Sequence, residues 1–192
     1  VFNWAGTKRF GTQLAKTVFH HAKAEGKTKT YCDTADPSPN SRKIPQLVKN
    51  VLRSRDLDIL SLNENEAVSY AKHIGESAKE RKKGPPLEDE AKESANVLAS
   101  HLSARIDLHA TSFSATFTRK GLTVVPSFRV PVLRATGAGD AWNAGNILGN
   151  AGGLPDACRL ALANAVAAYY VSSPDGEHPT RKQLARFLAK RK

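Results

Sequence analysis

Short β-prone runs alternate with helical runs along this chain of 192 residues, and that alternation constrains the fold more than any other feature. Over 11–23, Leu14, Ala15, Val18, Phe19 and Ala22 recur at helical spacing, and the run 29–32 that follows is β-prone and ends on Asp33. Pro37, Pro39 and Asn40 make 34–41 a loop. Helical spacing returns over 44–53, a second strand is expected over 57–62, and a helix over 64–73. The densely charged stretch 76–93, with Gly84-Pro85-Pro86 inside it, reads as an exposed turn between helix ends. Apolar periodicity then predicts a helix over 91–102, strands over 113–118 and 122–132, and closing helices over 138–150, 156–171 and 180–190. Strand and helix in regular succession mean βαβ units. The expected class is α/β: a three-layer α/β/α, Rossmann-like domain with a mostly parallel sheet. Ligands in such a fold gather beyond the carboxyl ends of the strands. The loops after Cys32, Leu62, Thr118 and Val132 are therefore where chemistry is expected.

Size and composition suit one domain over residues 1–192, since a domain takes about 150 residues and 40% hydrophobic with 24% charged residues is enough for a core. The chain opens on Val1-Phe2 and holds no Met, which reads as a fragment or trimmed chain that has lost its natural start. No run approaches the ~20 apolar residues of a membrane span, and the N-terminus lacks a secretory layout. A soluble, cytoplasmic protein with no membrane partner is expected. Cys32 and Cys158 form no CxxC or Cys/His cluster, which predicts two buried thiols and neither a disulfide framework nor a zinc site. More than half of the net charge of +11 sits in the last twelve residues, which hold six Lys or Arg and no acid. That placement, and the lack of basic residues interleaved with aromatics, argues against nucleic acid as a partner.

The most informative stretch is Thr136-Gly137-Ala138-Gly139-Asp140, which opens a helical run. Gly137 and Gly139 lack Cβ, so the backbone can turn sharply and aim several N–H groups at one point. A helix starting there adds partial positive charge, and together these features suit a phosphate. No Lys follows at the spacing of a P-loop. A carboxylate beside a phosphate site repels the ligand unless it has a task. Asp140 either caps the helix or serves as a general base toward a hydroxyl.

The run from Thr136 to Gly149 closely resembles the C-terminal motif of the ribokinase-like, or PfkB, family of sugar and nucleoside kinases. The resemblance implies an anion hole at Gly137, Ala138 and Gly139 and a catalytic base at Asp140. Asn63-Glu64-Asn65-Glu66 resembles the family's NxxE motif, implying that Glu66 helps hold magnesium and Asn63 the nucleotide phosphates; read locally, the same four residues make a capping box. The segment 116–121 resembles the TLGxxG turn that lines the nucleotide pocket, with Thr118 in place of its first glycine, which implies nucleotide contacts at Thr116, Thr118 and Gly121. Asn164 stands where the family places a residue against the adenine-ribose region. Ser172 to Glu177 replaces a Gly-Ala pair near the family's monovalent-cation site, so potassium activation is not implied.

The resemblance implies a ribokinase-like domain whose N-terminal part and lid are missing. Its parent would transfer a phosphoryl group from ATP, with ADP left open as donor, to a hydroxyl of a sugar, sugar phosphate or nucleoside, using Mg2+. Dimerisation of the full-length parent is open, and the fragment alone is expected to be inactive, because the strands that hold the acceptor are absent. Two rival readings are a non-catalytic basic binding module and an inactive remnant on the kinase fold.

Overall fold

The computed structural model describes residues 2–4, 10–26, 28–74 and 86–190. Six strands, β1 (Phe2–Asn3), β2 (Tyr31–Asp33), β3 (Ile59–Leu62), β4 (Arg105–His109), β5 (Phe113–Thr118) and β6 (Gly121–Pro126), hydrogen-bond in sequence order. The α-helices among the described residues are α1 (Gln13–Ala24), α2 (Ile44–Leu47), α3 (Glu64–Ala71), α4 (Leu87–His101), α5 (Ala138–Ala151), α6 (Asp156–Val171) and α7 (Arg181–Ala189).

Strands β1 to β4 run parallel, with Phe2 opposite Cys32, Tyr31 opposite Ile59 and Ile59 opposite Arg105. All four residues of β3 are buried, as expected of a parallel strand covered on both faces. After β4 the pattern changes. The Ala110 N–H donates to the Phe113 carbonyl at 2.9 Å, closing a turn too short for a parallel crossover, so β5 returns antiparallel along β4. Thr118 Oγ1 closes the next turn, accepting from the Lys120 N–H and donating to the Gly121 carbonyl, both at 3.2 Å.

The chain clusters into two compact units, Val1–Leu108 with Phe117–Leu122, and His109–Thr116 with Thr123–Lys192. In the first, Leu60, Leu62, Ile106 and Leu108 of the parallel strands are buried with Leu47, Leu52 and Leu98 of the helices. In the second, α5 lies close against α6: a methyl group at Gly145 would sit 2.8 Å from the Ala163 Cα. Trp142, Leu160 and Ala163 form the local core. Arg159, only 1% exposed, donates to Asn146, to Thr116 Oγ1 at 2.5 Å and to Asp156 Oδ1 at 2.9 Å. One buried guanidinium thus joins α5, α6 and β5 by charge-assisted hydrogen bonds.

Several expectations need correction. The sequence reading lacked β1 and β4. The strand expected over 122–132 stops at Pro126, because Pro126 and Pro131 bracket a stretch that cannot sustain a ladder. The loop over 34–41 gives way to a 3-10 turn at Ser38–Lys43, with a proline in its first turn, where no N–H is needed. Residues 87–93, expected in an exposed turn, form the first turns of α4, where Glu88, Asp89 and Glu90 complement the helix dipole; the remainder of that charged stretch, 76–85, lies outside the described residues. Cys32 is buried as expected, but Cys158 is exposed. No helix among the described residues is long and apolar enough to cross a membrane.

The close approach of α5 to α6 is directly testable. Gly145→Val should destabilise the protein by about 1–3 kcal/mol, because its side chain meets backbone. Gly152→Ala, whose nearest neighbour would be the Leu148 carbonyl at 3.4 Å, should be near neutral. Urea unfolding midpoints of the two variants measure the contrast.

Candidate functional site

The start of α5 carries the densest chemistry. Gly137 is its N-cap, at φ +86°, a left-handed conformation that disfavours any side chain. The Ala138 N–H donates to the Ala135 carbonyl at 3.1 Å and the Ala141 N–H to the Gly137 carbonyl at 2.9 Å. Between them, the amides of Gly139 and Asp140 find no acceptor among the described residues. Two unclaimed amides at a helix N-terminus attract an anion, both by hydrogen bonding and through the helix dipole. The Asp140 carboxylate stands exposed in the same first turn. It makes no capping bond, since the cap is Gly137 with no side-chain hydrogen bond.

One wall of this turn was not anticipated. His109, at the carboxyl end of β4, lies so close to Gly139 that a methyl there would be 3.3 Å from its Cε1. Its ring also packs on Trp142, at 5.0 Å between centroids. Arg105-Ile106-Asp107-Leu108-His109 does alternate polar and apolar residues, which is the signal that would have found the strand and hence the histidine.

The second cluster lies in the other unit, at the carboxyl ends of β2 and β3. Asn63 and Glu66 form a reciprocal capping box: the Glu66 N–H donates to Asn63 Oδ1 at 3.0 Å, and Glu66 accepts from the Asn63 N–H at 3.0 Å and from Asn63 Nδ2 at 2.9 Å. Glu66 is nevertheless only 3% exposed. Burial pushes its pKa up to about 8; the Asn63 amide pulls it down, while the charges of Asp33, Asp36 and Glu64 push it further up. Asp36 is held low by the hydroxyl and amide of Ser38. Asp33 accepts from the Ala35 N–H at 3.0 Å, and Ala35 itself is left-handed at φ +53°. Burial also pushes the Cys32 thiol and the Tyr70 phenol above their ordinary ranges, so both stay neutral.

The donor set around Glu66 suits a divalent ion held mainly through water and phosphate. Among the described residues no group of three or more His, Cys, Asp or Glu side chains forms a metal cage. Three carboxylates, Asp33, Asp36 and Glu64, whose charges are felt at the buried Glu66 oxygens nonetheless favour a cation there, and magnesium characteristically keeps several waters.

The remaining expected site residues lie elsewhere. Thr118 and Gly121 sit at the β5–β6 turn, and because β5 is reversed this turn lies beside the start of β4, at the amino ends of the parallel strands. That corrects the expectation that the loop after Thr118 belongs to the ligand-bearing end. Thr116 is buried, with its hydroxyl accepting from Arg159. Asn164, 4% exposed, accepts from Trp142 Nε1 at 2.9 Å and donates to the Pro126 carbonyl at 3.0 Å. Its hydrogen-bonding groups are spent on the fold, which explains an Asn inside a helix.

The fold has many solved counterparts. Adenosine kinase from Sinorhizobium meliloti superposes with a TM-score of 0.68 at 19% identity, over 91% of this chain and 48% of that one. Aminoimidazole riboside kinase from Salmonella enterica, in complex with aminoimidazole riboside and an ATP analogue, gives 0.69 at 19%, over 90% and 57%. A putative ribokinase II from E. coli, in complex with ATP and Mg2+, gives 0.68 at 18%, over 92% and 53%. The chain thus has the ribokinase-like α/β fold. In sequence it is 30% identical over 151 residues to YegV, an uncharacterized sugar kinase of Escherichia coli (strain K12), covering 78% of this chain and 43% of that protein. No family model matches the chain. In fold and in sequence the chain is thus similar to sugar and nucleoside kinases of the ribokinase-like type. The chain spans about half the length of the proteins it matches.

The buried carboxyl of Glu66 has a stability signature. With its folded pKa near 8, above the unfolded value of 4.5, the native state holds the proton more tightly than the unfolded chain. Its contribution is therefore fully present below pH 4.5 and lost as pH rises through 8. Glu66→Gln keeps a capping-box side chain without the titration. Between pH 5 and pH 8 the melting temperature of the wild type should fall relative to that of the variant, as measured by thermal unfolding in metal-free buffers across that range.

Proposed function

We propose that the protein carrying this chain is a carbohydrate kinase that transfers a phosphoryl group from ATP to a hydroxyl of a sugar or nucleoside. The observation that carries this reading is the Asp140 carboxylate, exposed beside two amides without acceptors at a glycine-initiated helix start. A carboxylate is repelled by a phosphate, and its presence at an anion site makes chemical sense if it accepts a proton in the transition state.

In this mechanism Asp140 takes the proton of the acceptor hydroxyl as the oxygen approaches phosphorus. The amides of Gly139 and Asp140 hold the oxygens of the moving phosphoryl group, where charge accumulates in a loose transition state. Gly137 lets the chain turn so that these amides point outward, and Ala138, bonded back to Ala135, ends that turn. Glu66 and Asn63 fit the part of metal and phosphate holders. Magnesium, when bound, supplies charge neutralisation between the phosphates. The choice of ATP and magnesium is supported by the bound state of the ribokinase II counterpart, and the acceptor class by a nucleoside kinase counterpart from Burkholderia thailandensis in complex with inosine. His109, packed on Gly139, forms part of the phosphate-side wall in this reading.

Asp140→Asn keeps the shape of the site and removes the base. In the full-length protein it should lower kcat by about 10²-fold or more with little change in the nucleotide KM. A coupled ADP-release assay over a panel of sugars and nucleosides measures this, and undiminished turnover would remove Asp140 from the chemistry. In the same assay Glu66→Gln should raise the magnesium concentration needed for half-maximal rate, because a charged outer-sphere partner is lost.

A further inference from the structure

The groove between the end of α6 and α7 carries chemistry that phosphoryl transfer at Asp140 leaves unused. It is open, has a volume of about 380 Å³, and is lined by Tyr169 of α6, by Gln183, Arg186 and Phe187 of α7, and by Lys190 at the C-cap of α7. Positions 183, 186, 187 and 190 recur at helical spacing, so one face of α7 supplies all four. Phe187 is buried, and its ring meets those of Tyr169 and Phe128 edge to face, at 5.7 and 6.1 Å between centroids. These contacts fix α7 against α6 and give the groove an aromatic base.

What these side chains can offer a ligand is one-sided. Arg186 and Lys190 are exposed, and among the described residues neither pairs with an acid. The side-chain oxygen of Gln183 is already engaged, accepting from the Thr180 amide at 2.8 Å and from the Thr180 hydroxyl at 2.6 Å in the capping box that starts α7. Its side-chain NH2 has no acceptor among the described residues, and the Tyr169 hydroxyl makes no hydrogen bond there. Two cations, an amide nitrogen and a hydroxyl thus line the groove, and no carboxylate does. Cations in the last turn also suit the helix dipole, but the dipole calls for neither the extra donors nor the aromatic base. Residues 181–192 hold six Lys or Arg and no acid, so the helix carries no charge that would neutralise the groove. Tyr170, about 100° further around α6, instead stacks on His178 and donates to the Thr136 carbonyl at 3.0 Å. The groove and the segment leading to Asp140 therefore adjoin different faces of α6.

We propose that this groove is a second anion site, separate from the start of α5, and that it takes a phosphate ester carrying a planar ring. Arg186 and Lys190 hold the ester oxygens through charge-assisted hydrogen bonds, with the Gln183 amide beside them. The ring lies against Tyr169. Inorganic phosphate gains the first set of contacts and lacks the second. The volume falls within the ~300–1,000 Å³ of small-molecule pockets. The proposal does not rest on the kinase reading, since no residue of the groove takes part in that mechanism.

The test follows the Gln183 side-chain amide by NMR in the isotope-labelled full-length protein, titrated with phenyl phosphate and, separately, with inorganic phosphate at constant ionic strength. This resonance reports the groove alone, whatever binds at the start of α5. It should shift saturably with phenyl phosphate, with a Kd about threefold or more below that for inorganic phosphate. Arg186→Gln combined with Lys190→Gln should raise the phenyl phosphate Kd by about tenfold or more. Both side chains are exposed, so the substitutions spare the core. Arg181→Gln combined with Lys182→Gln removes the same charge from the same helix outside the groove, and should leave that Kd within about twofold. Equal weakening by the two pairs would mean attraction to net charge alone and would overturn the site. A Gln183 resonance that phenyl phosphate does not move would overturn it as well, and equal affinity for the two probes would overturn the ring-bearing class of ligand.

Discussion

The close contact of α5 with α6 decides what the helix start can present. Gly145 lets α5 approach the backbone of Ala163, and Gly149 lies against Arg159, where a methyl would come within 3.0 Å of its Cγ. With the helices that near, Trp142 can reach Asn164 and Arg159 can reach Asn146. A buried guanidinium is costly unless its hydrogens are claimed. Arg159 finds oxygens on three elements, and that requirement sets the position of α5 along and around its own axis. The amides at the front of α5 inherit their direction from this packing, several turns away from the phosphate they are suited to hold.

Around Glu66 a structural and a chemical use share the same atoms. As a capping-box member its carboxylate satisfies both the backbone amide of Asn63 at the N-cap and that residue's side-chain amide. Yet its oxygens are buried beside other acids, which is an expensive arrangement for a cap alone when an exposed Glu or Gln does the same work. A strained charge state of this kind is common where a cation belongs. The cap then orients the carboxylate, and burial first, with the neighbouring acids second, raises its proton affinity.

The readings that failed did so for identifiable reasons. The strand at Arg105–His109 is short and carries polar ends, so its alternation is a weak signal for the fourth member of the parallel sheet. Without it, the segment 116–121 looked like the turn at the carboxyl end of a parallel strand. With β4 in place, β5 becomes the returning arm of a hairpin and the whole assignment reverses in direction. The resemblance also singles out Thr116 and Asn164, and the fold gives both side chains buried partners many residues away in sequence.

What the sequence determined by itself is local. Glycines that permit a left-handed turn, a carboxylate one residue beyond them, the S/T/N-x-x-E/Q pattern of a helix cap and the alternation of strand and helix are all set by neighbours within a few residues, where backbone sterics and short-range hydrogen bonds act. Asp140, Gly137 and the Asn63–Glu66 pair were legible on those grounds. Only the tertiary structure decided which groups lie against them. Tyr170 meets Thr136 across 34 positions of sequence, His109 meets Gly139 from the end of a strand, and Asp33 and Asp36 reach Glu66 from the end of β2 and the loop after it. Such meetings depend on strand order and on how near two helices can pack, and both are settled by burial of the core as a whole, which no short window of residues encodes.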